Sequence, residues 1–222
     1  MWDTMTGAVA YLEKGGPIMI PLLILAVISV AVMIERAVAI RRAAHDNEAL
    51  MQQIQTELGQ GRIDEALALC DASNSPVANL IGTGIRNRHL DNDSIERAME
   101  ELALREQPIL YKRLGTLDTI ITLAPLLGLL GTITGMIKSF HVVSSAGLNA
   151  PTAITGGVAE ALIATATGLT IAICTLPVYN ALTERVKEII SEMEVRATQL
   201  LNILATNRSI EDRKRETKAA RA

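Results

Sequence analysis

Residues 15–34 read GGPIMIPLLILAVISVAVMI, twenty positions without one charged side chain. Wound as an α-helix at 1.5 Å per residue, the stretch is about 30 Å long, the thickness of a bilayer's hydrocarbon core. A cleaved signal peptide and a buried soluble helix are the competing readings; against the first, the residues ahead carry Asp3, Glu13 and Lys14 instead of a positive cluster. The stretch therefore reads as a membrane-spanning helix. A second block, 114–137 (LGTLDTIITLAPLLGLLGTITGMI), is charge-free after Asp118 and closed by Lys138. A third, 151–182, carries Glu160 as its single charge. The expected fold is all-α: a polytopic membrane protein with three transmembrane helices and a helical cytoplasmic domain between the first two.

Composition agrees with that fold. Of 222 residues 49% are hydrophobic, yet the aromatics are only Trp2, Tyr11, Tyr111, Phe140 and Tyr179, so the apolar content is aliphatic. It is gathered into blocks, not spread at the amphipathic spacing of a soluble core. The net charge of −3, with basic and acidic residues interleaved, offers no groove for nucleic acid. Cys70 and Cys174 form no CxxC or Cys/His spacing, so neither a disulfide framework nor a metal site is expected, and no cofactor is implied.

Lysine and arginine at membrane edges set orientation, because they resist translocation. Arg36, Arg41 and Arg42 follow the first span, Arg105, Lys112 and Arg113 precede the second, and Arg185 and Lys187 follow the third. The other side has Lys14 and Lys138. Residues 1–14 and the loop 138–150 are thus expected outside, and 35–113 and 183–222 inside. Trp2, Tyr11 and Phe140 then fall toward the outer boundary, Tyr111 and Tyr179 toward the inner one.

Within 35–113, GRIDEALALCDAS (61–73) and DNDSIERAMEELALREQPILYKRL (91–114) repeat apolar residues at helical spacing. Asp93 or Ser94 is the expected N-cap of the second stretch. Gly59 and Gly61 separate helices, SNSP (73–76) marks a turn, and Pro108 is expected to bend the approach to span two. From Thr206 the tail (TNRSIEDRKRETKAARA) is polar and poor in core residues, which predicts a disordered end after a C-terminal helix.

Polar groups inside spans are costly and so point to function. On the 3.6-residue period Asp118, Thr122, Pro125, Leu129, Thr132 and Met136 lie within about 40° of one direction, a polar stripe along span two. Gly128, Gly131 and Gly135 include a GxxxG pair that lets another helix come close. In span three Glu160, Ala164, Gly168 and Ala172 form an i+4 ridge. With Asn149 capping a helix from Pro151, Glu160 lies about 14 Å along the axis, below the outer surface. An ionised carboxylate there needs a partner or water. It either shares protons or hydrogen-bonds a neighbouring threonine or backbone group and cements helices. Asp118, near the cytoplasmic end, is within reach of water, and Thr132 and Thr165 also fit ordinary back-bonded helix threonines. One chain offers no complete proton path, and three helices enclose no pore. Copies in a ring, a second subunit carrying a titratable group, or both, are required.

APLLGLLGTITGMIKSF (124–140) followed by GGVAEALIATATGLTIAICTLPVYN (156–180) resembles the paired signature of the MotA/TolQ/ExbB proton-channel family, nearest its ExbB and TolQ branch. GPIMIPLLILAVISVAVMIERAVAIRR and SPVANLIGTGI resemble the family's first span and cytoplasmic domain, so the resemblance covers most of residues 15–185. It implies a bacterial inner-membrane protein with a periplasmic N-terminus and cytoplasmic C-terminus. It further implies a pentamer around a pair of single-span ExbD- or TolR-like subunits, energising a TonB- or TolA-like protein, with a transmembrane aspartate of the partner carrying the proton. Motif by motif, it implies that Thr132, Thr165 and Glu160 lie on the ion path or line the pore. Thr165 points about 140° from Glu160 on an ideal helix. Cys174 stands where relatives commonly have proline, and Pro177 follows three residues later, which displaces the expected kink.

Other classes fit less well. An intramembrane protease needs GxGD or GxSG, and neither occurs, so no catalytic residue is expected. A structural scaffold accounts for the small-residue ridges but not the glutamate. A flagellar-type stator is the nearer rival, but it has four spans against three here.

Overall fold

The computed structural model describes residues 15–44, 47–73, 75–146 and 151–219. Trp2, Tyr11, Lys14 and the cap expected of Asn149 lie outside these. The described residues form seven helices and no strand: α1 (Met19–Ala43), α2 (Asn47–Gly59), α3 (Ile63–Ala72), α4 (Pro76–Arg86), α5 (Asn92–Leu110), α6 (Leu114–Ala146) and α7 (Pro151–Ala219). Three helices are long and apolar enough to cross a membrane. The chain divides into two compact units, one of residues up to Arg36 with 113–182, the other of residues 37–112 with those from Thr183 on.

In the first unit α1, α6 and α7 meet around Met19, Leu22 and Ala124, flanked by Ile18, Leu25, Leu127, Ile163 and Ile171. Small residues decide how closely α6 and α7 approach. A Cβ added to Gly128 would stand 3.0 Å from the Thr165 Cα, one on Gly131 would strike the Ala164 methyl, and one on Gly168 would strike the Ala124 carbonyl. Backbone therefore lies against backbone, the arrangement that membrane helices use when apolar burial supplies no drive. Ile20, Val27, Leu126, Leu162 and Ile173 point away from this contact and are more than half exposed, a surface suited to lipid.

α6 begins after a sharp turn in which Arg113 takes φ 63, the left-handed region that side chains disfavour. The Arg113 guanidinium pairs with the Glu35 carboxylate, which Arg36 also approaches at 3.1 Å. The bend expected at Pro108 is not where the chain turns. α5 runs two residues past Pro108, absorbing it in the last turn, and the break falls at 111–113.

The second unit is built around α4, which opens with Pro76 in its first turn and Ser75 as N-cap, the Ser75 Oγ accepting from the Val77 amide at 3.2 Å. Val77, Ala78, Leu80, Ile81 and Ile85 are all buried. Gly82 lies against Cys70, and Gly84 lies under Leu200 and Met99, positions where a Cβ would crowd its neighbours. Burial raises the Cys70 thiol to about 11, which keeps it neutral and unreactive. The N-cap of α5 is Asp91, not Asp93 or Ser94. Its carboxylate accepts the Ser94 amide at 3.2 Å and the Ser94 hydroxyl at 2.6 Å.

The disordered tail expected from Thr206 is corrected as well: α7 continues as helix to Ala219. A helix already nucleated extends easily through Glu, Lys, Arg and Ala, all good helix formers. Arg208 also reaches the Asn92 Oδ1 at 3.2 Å and the carbonyls of Arg88 and Leu90.

Candidate functional site

Along α6 the buried positions Ala124, Gly128, Gly131, Gly135 and Ser139 follow the glycine ridge. The polar stripe lies about 110° round the helix from that ridge. Asp118, Thr122, Leu129 and Met136 are exposed, and Pro125 and Thr132 are half-buried. Thr122 donates to the Asp118 carbonyl at 3.2 Å and Thr132 to the Leu129 carbonyl at 2.6 Å. Each hydroxyl proton is thus held by its own helix, leaving the oxygens outward as acceptors.

Thr165 is placed differently. Its Oγ1 lies 2.9 Å from the Gly128 carbonyl on α6 and 3.2 Å from the Ala161 carbonyl on α7, so its one proton serves the seam between the helices. Ala164 and Gly168 occupy that seam too, and Ala172, also buried, continues the ridge.

Glu160 has its partner on α6, a lysine side chain and not a threonine or a backbone group. Lys138 Nζ lies 2.6 Å from its Oε1. Lys138 reads in the sequence only as an outer-side charge closing span two. α6 in fact runs on to Ala146, so Lys138 lies eight residues from the end of α6 and Glu160 nine from the start of α7. The two arms of the hairpin therefore bring them level. Sequence reasoning also misses Ser29 and Thr175, both buried, whose hydroxyls join α1 to α7 at 2.8 Å. Thr175 donates to the Ile171 carbonyl at 2.7 Å, so Ser29 is the donor of the pair. Among the described residues no three His, Cys, Asp or Glu side chains cluster as metal ligands would.

Residues 72–195, more than half of the chain, match the model of the MotA/TolQ/ExbB proton channel family. The chain belongs to that family. An ExbB homolog of Methanothermobacter thermautotrophicus is 34% identical over 143 residues, 64% of this chain. The chain spans only 50% of that relative's length. Biopolymer transport protein ExbB of Neisseria meningitidis is 26% identical over 205 residues, 85% of this chain and 92% of its own. Tol-Pal system protein TolQ of Haemophilus influenzae is 40% identical over 93 residues, 42% of this chain and 41% of its own.

These relatives put the chain on the ExbB and TolQ branch of the MotA/TolQ/ExbB family, and with its three apolar helices it is a multi-pass membrane protein. The family match takes in all of α6, α7 as far as Val195 and the helices α4 and α5, so the stripe, the seam and the Lys138–Glu160 pair all fall within it.

Proposed function

We propose that this chain is the ring-forming subunit of a motor in the bacterial inner membrane, driven by the proton motive force. A pentamer encloses a pair of single-span ExbD- or TolR-like subunits and energises a TonB- or TolA-like protein serving outer-membrane transport or integrity. In this reading residues 1–14 are periplasmic, 15–34, 114–137 and 151–182 cross the bilayer, and 35–113 and 183–222 are cytoplasmic.

The observation that carries the reading is the exposed row Asp118, Thr122, Leu129 and Met136, with Thr132 beside it, on a helix apolar enough to span. Lipid is a poor environment for a carboxylate and a line of hydroxyl oxygens, yet Asp118 and Thr122 are left exposed by the described residues of their own chain. In a ring the row turns toward the axis, where Thr132 oxygens accept hydrogen bonds from water or from the carboxyl group of a central partner. The chain supplies hydroxyls along most of the path, so the group that takes up and releases the proton comes from that partner. Each charge moved down 100 mV releases about 2.3 kcal/mol, and a few such steps suffice for a conformational change in an attached protein.

Thr132→Ala tests the reading. Expected is loss of protonophore-sensitive transport with the chain still inserted at the normal level, measured by uptake and by membrane fractionation. Full uptake in that variant would sink it.

A further inference from the structure

We propose that Lys138 is a positioning residue for Glu160, and that the two close with Gly16 into a latch joining the three spans at one level. Glu160 then keeps the helices in register and does not pass protons on. The proposal deepens, and for its transport assay rests on, the proton-path reading above.

Backbone contacts fix the level of the pair. A Cβ added to Gly135 would lie 2.6 Å from the Gly157 carbonyl and 2.9 Å from the Ala161 Cβ, and one on Gly157 would strike the Ser139 hydroxyl. Ser139 Oγ in turn donates to the Gly135 carbonyl at 3.1 Å. With α6 and α7 touching through these residues, neither helix slides by a turn without a clash. Lys138 adjoins Ser139 and Glu160 adjoins Ala161, so the register of the backbones is the register of the charges.

The third side is Gly16, just ahead of α1. It takes φ 71, open to glycine and disfavoured for any side chain, and a Cβ there would collide with the Glu160 carboxylate. Gly15 lies beside Ile163 in the same way, its added Cβ 3.1 Å from the Ile163 Cγ2. The start of span one is thus laid directly over the Glu160 side chain. That side chain is 18% exposed, whereas Lys138 is 51% exposed. The carboxylate is enclosed while the ammonium reaches it along a flexible stem with its base in the open.

An N–O separation of 2.6 Å marks a charge-assisted hydrogen bond, among the stronger kinds. A proton carrier must alternate between its charged and neutral forms. Here each proton taken up by the carboxylate would give up the charge-assisted bond that ties α6 to α7. The arrangement suits a group that holds its partner.

Lys138→Glu, Glu160→Lys and the exchanged double variant test this in the full-length chain with its partner subunits. Two measurements are made: the melting midpoint of the purified complex and the pH profile of protonophore-sensitive transport. Each single reversal should lower the midpoint and reduce transport roughly tenfold or more. The exchanged pair should restore both, with the wild-type pH profile. A double variant that regains its midpoint but stays inactive, or works with a displaced profile, overturns the latch in favour of proton passage. A double variant that melts no higher than the singles overturns the pairing itself. If the reversed singles do not accumulate, Lys138→Met and Glu160→Gln complete the same cycle with milder changes, and additive midpoints overturn the proposal. Wild-type transport indifferent to a protonophore would count against the functional reading alone, while the melting cycle still decides the latch.

Discussion

The Thr165 hydroxyl lies between two carbonyls, those of Gly128 and Ala161, and this is a different situation from that of Thr132, whose oxygen stays outward. A hydroxyl that bridges two membrane helices contributes about 0.6 kcal/mol, with about 1.7 at most. Thr165→Val keeps the shape and removes the bond. It should therefore lower unfolding stability in detergent by about that amount and leave transport near normal. Wild-type stability combined with lost transport would mean that the hydroxyl handles ions directly. At this scale the polar residues of the spans were legible because charge and hydroxyls are conspicuous in an apolar block. The partner of Glu160 was not. A side-chain pair across a hairpin depends on where both helices end, and the nine residues from Lys138 to Ala146 that extend α6 beyond the expected span carry no mark of helix or loop.

At the scale of elements, the three apolar blocks announce α1, α6 and the first half of α7, whereas the ends of helices are read less well. α5 shows why. Asp91, Asp93 and Ser94 all qualify as caps by type, and the choice falls to Asp91 because its carboxylate accepts both donors of Ser94. Those bonds, the Ser94 side chain first, hold the Asp91 carboxyl below its ordinary range. A carboxyl lowered by folding adds stability above its unfolded value of about 3.9, and the gain is lost as pH falls through the lower folded value. Asp91→Ala should accordingly melt below wild type at neutral pH, and the gap should close under acid conditions below about pH 4. A gap independent of pH would assign the effect to packing instead of the cap. The far end of α7 was unreadable for another reason. Glu, Lys and Arg signal solubility in any conformation, and what decides here is that the helix is already running when it reaches them.

For the whole molecule, the family was legible because its signature lies on the two helices that make the seam, where glycine and alanine are required by contact. The assembly proposed above rests on surfaces that one chain leaves open. Lys138 and Glu160 lie on opposite arms of the α6–α7 hairpin, so the ribosome delivers the cation well before the anion that neutralises it. A lysine in mid-span raises the insertion free energy by about 2.5–3.5 kcal/mol, and less toward a span's end. A chain stopped at residue 150 should therefore integrate its second span less completely than one stopped at 182. Lys138→Leu should erase the difference, with protease protection of the spans as the measure. Equal integration of both lengths would show that the lysine enters without help. On that expectation the α6–α7 hairpin is the unit of insertion, its second span fully seated only once the third has been synthesised and Lys138 has met Glu160.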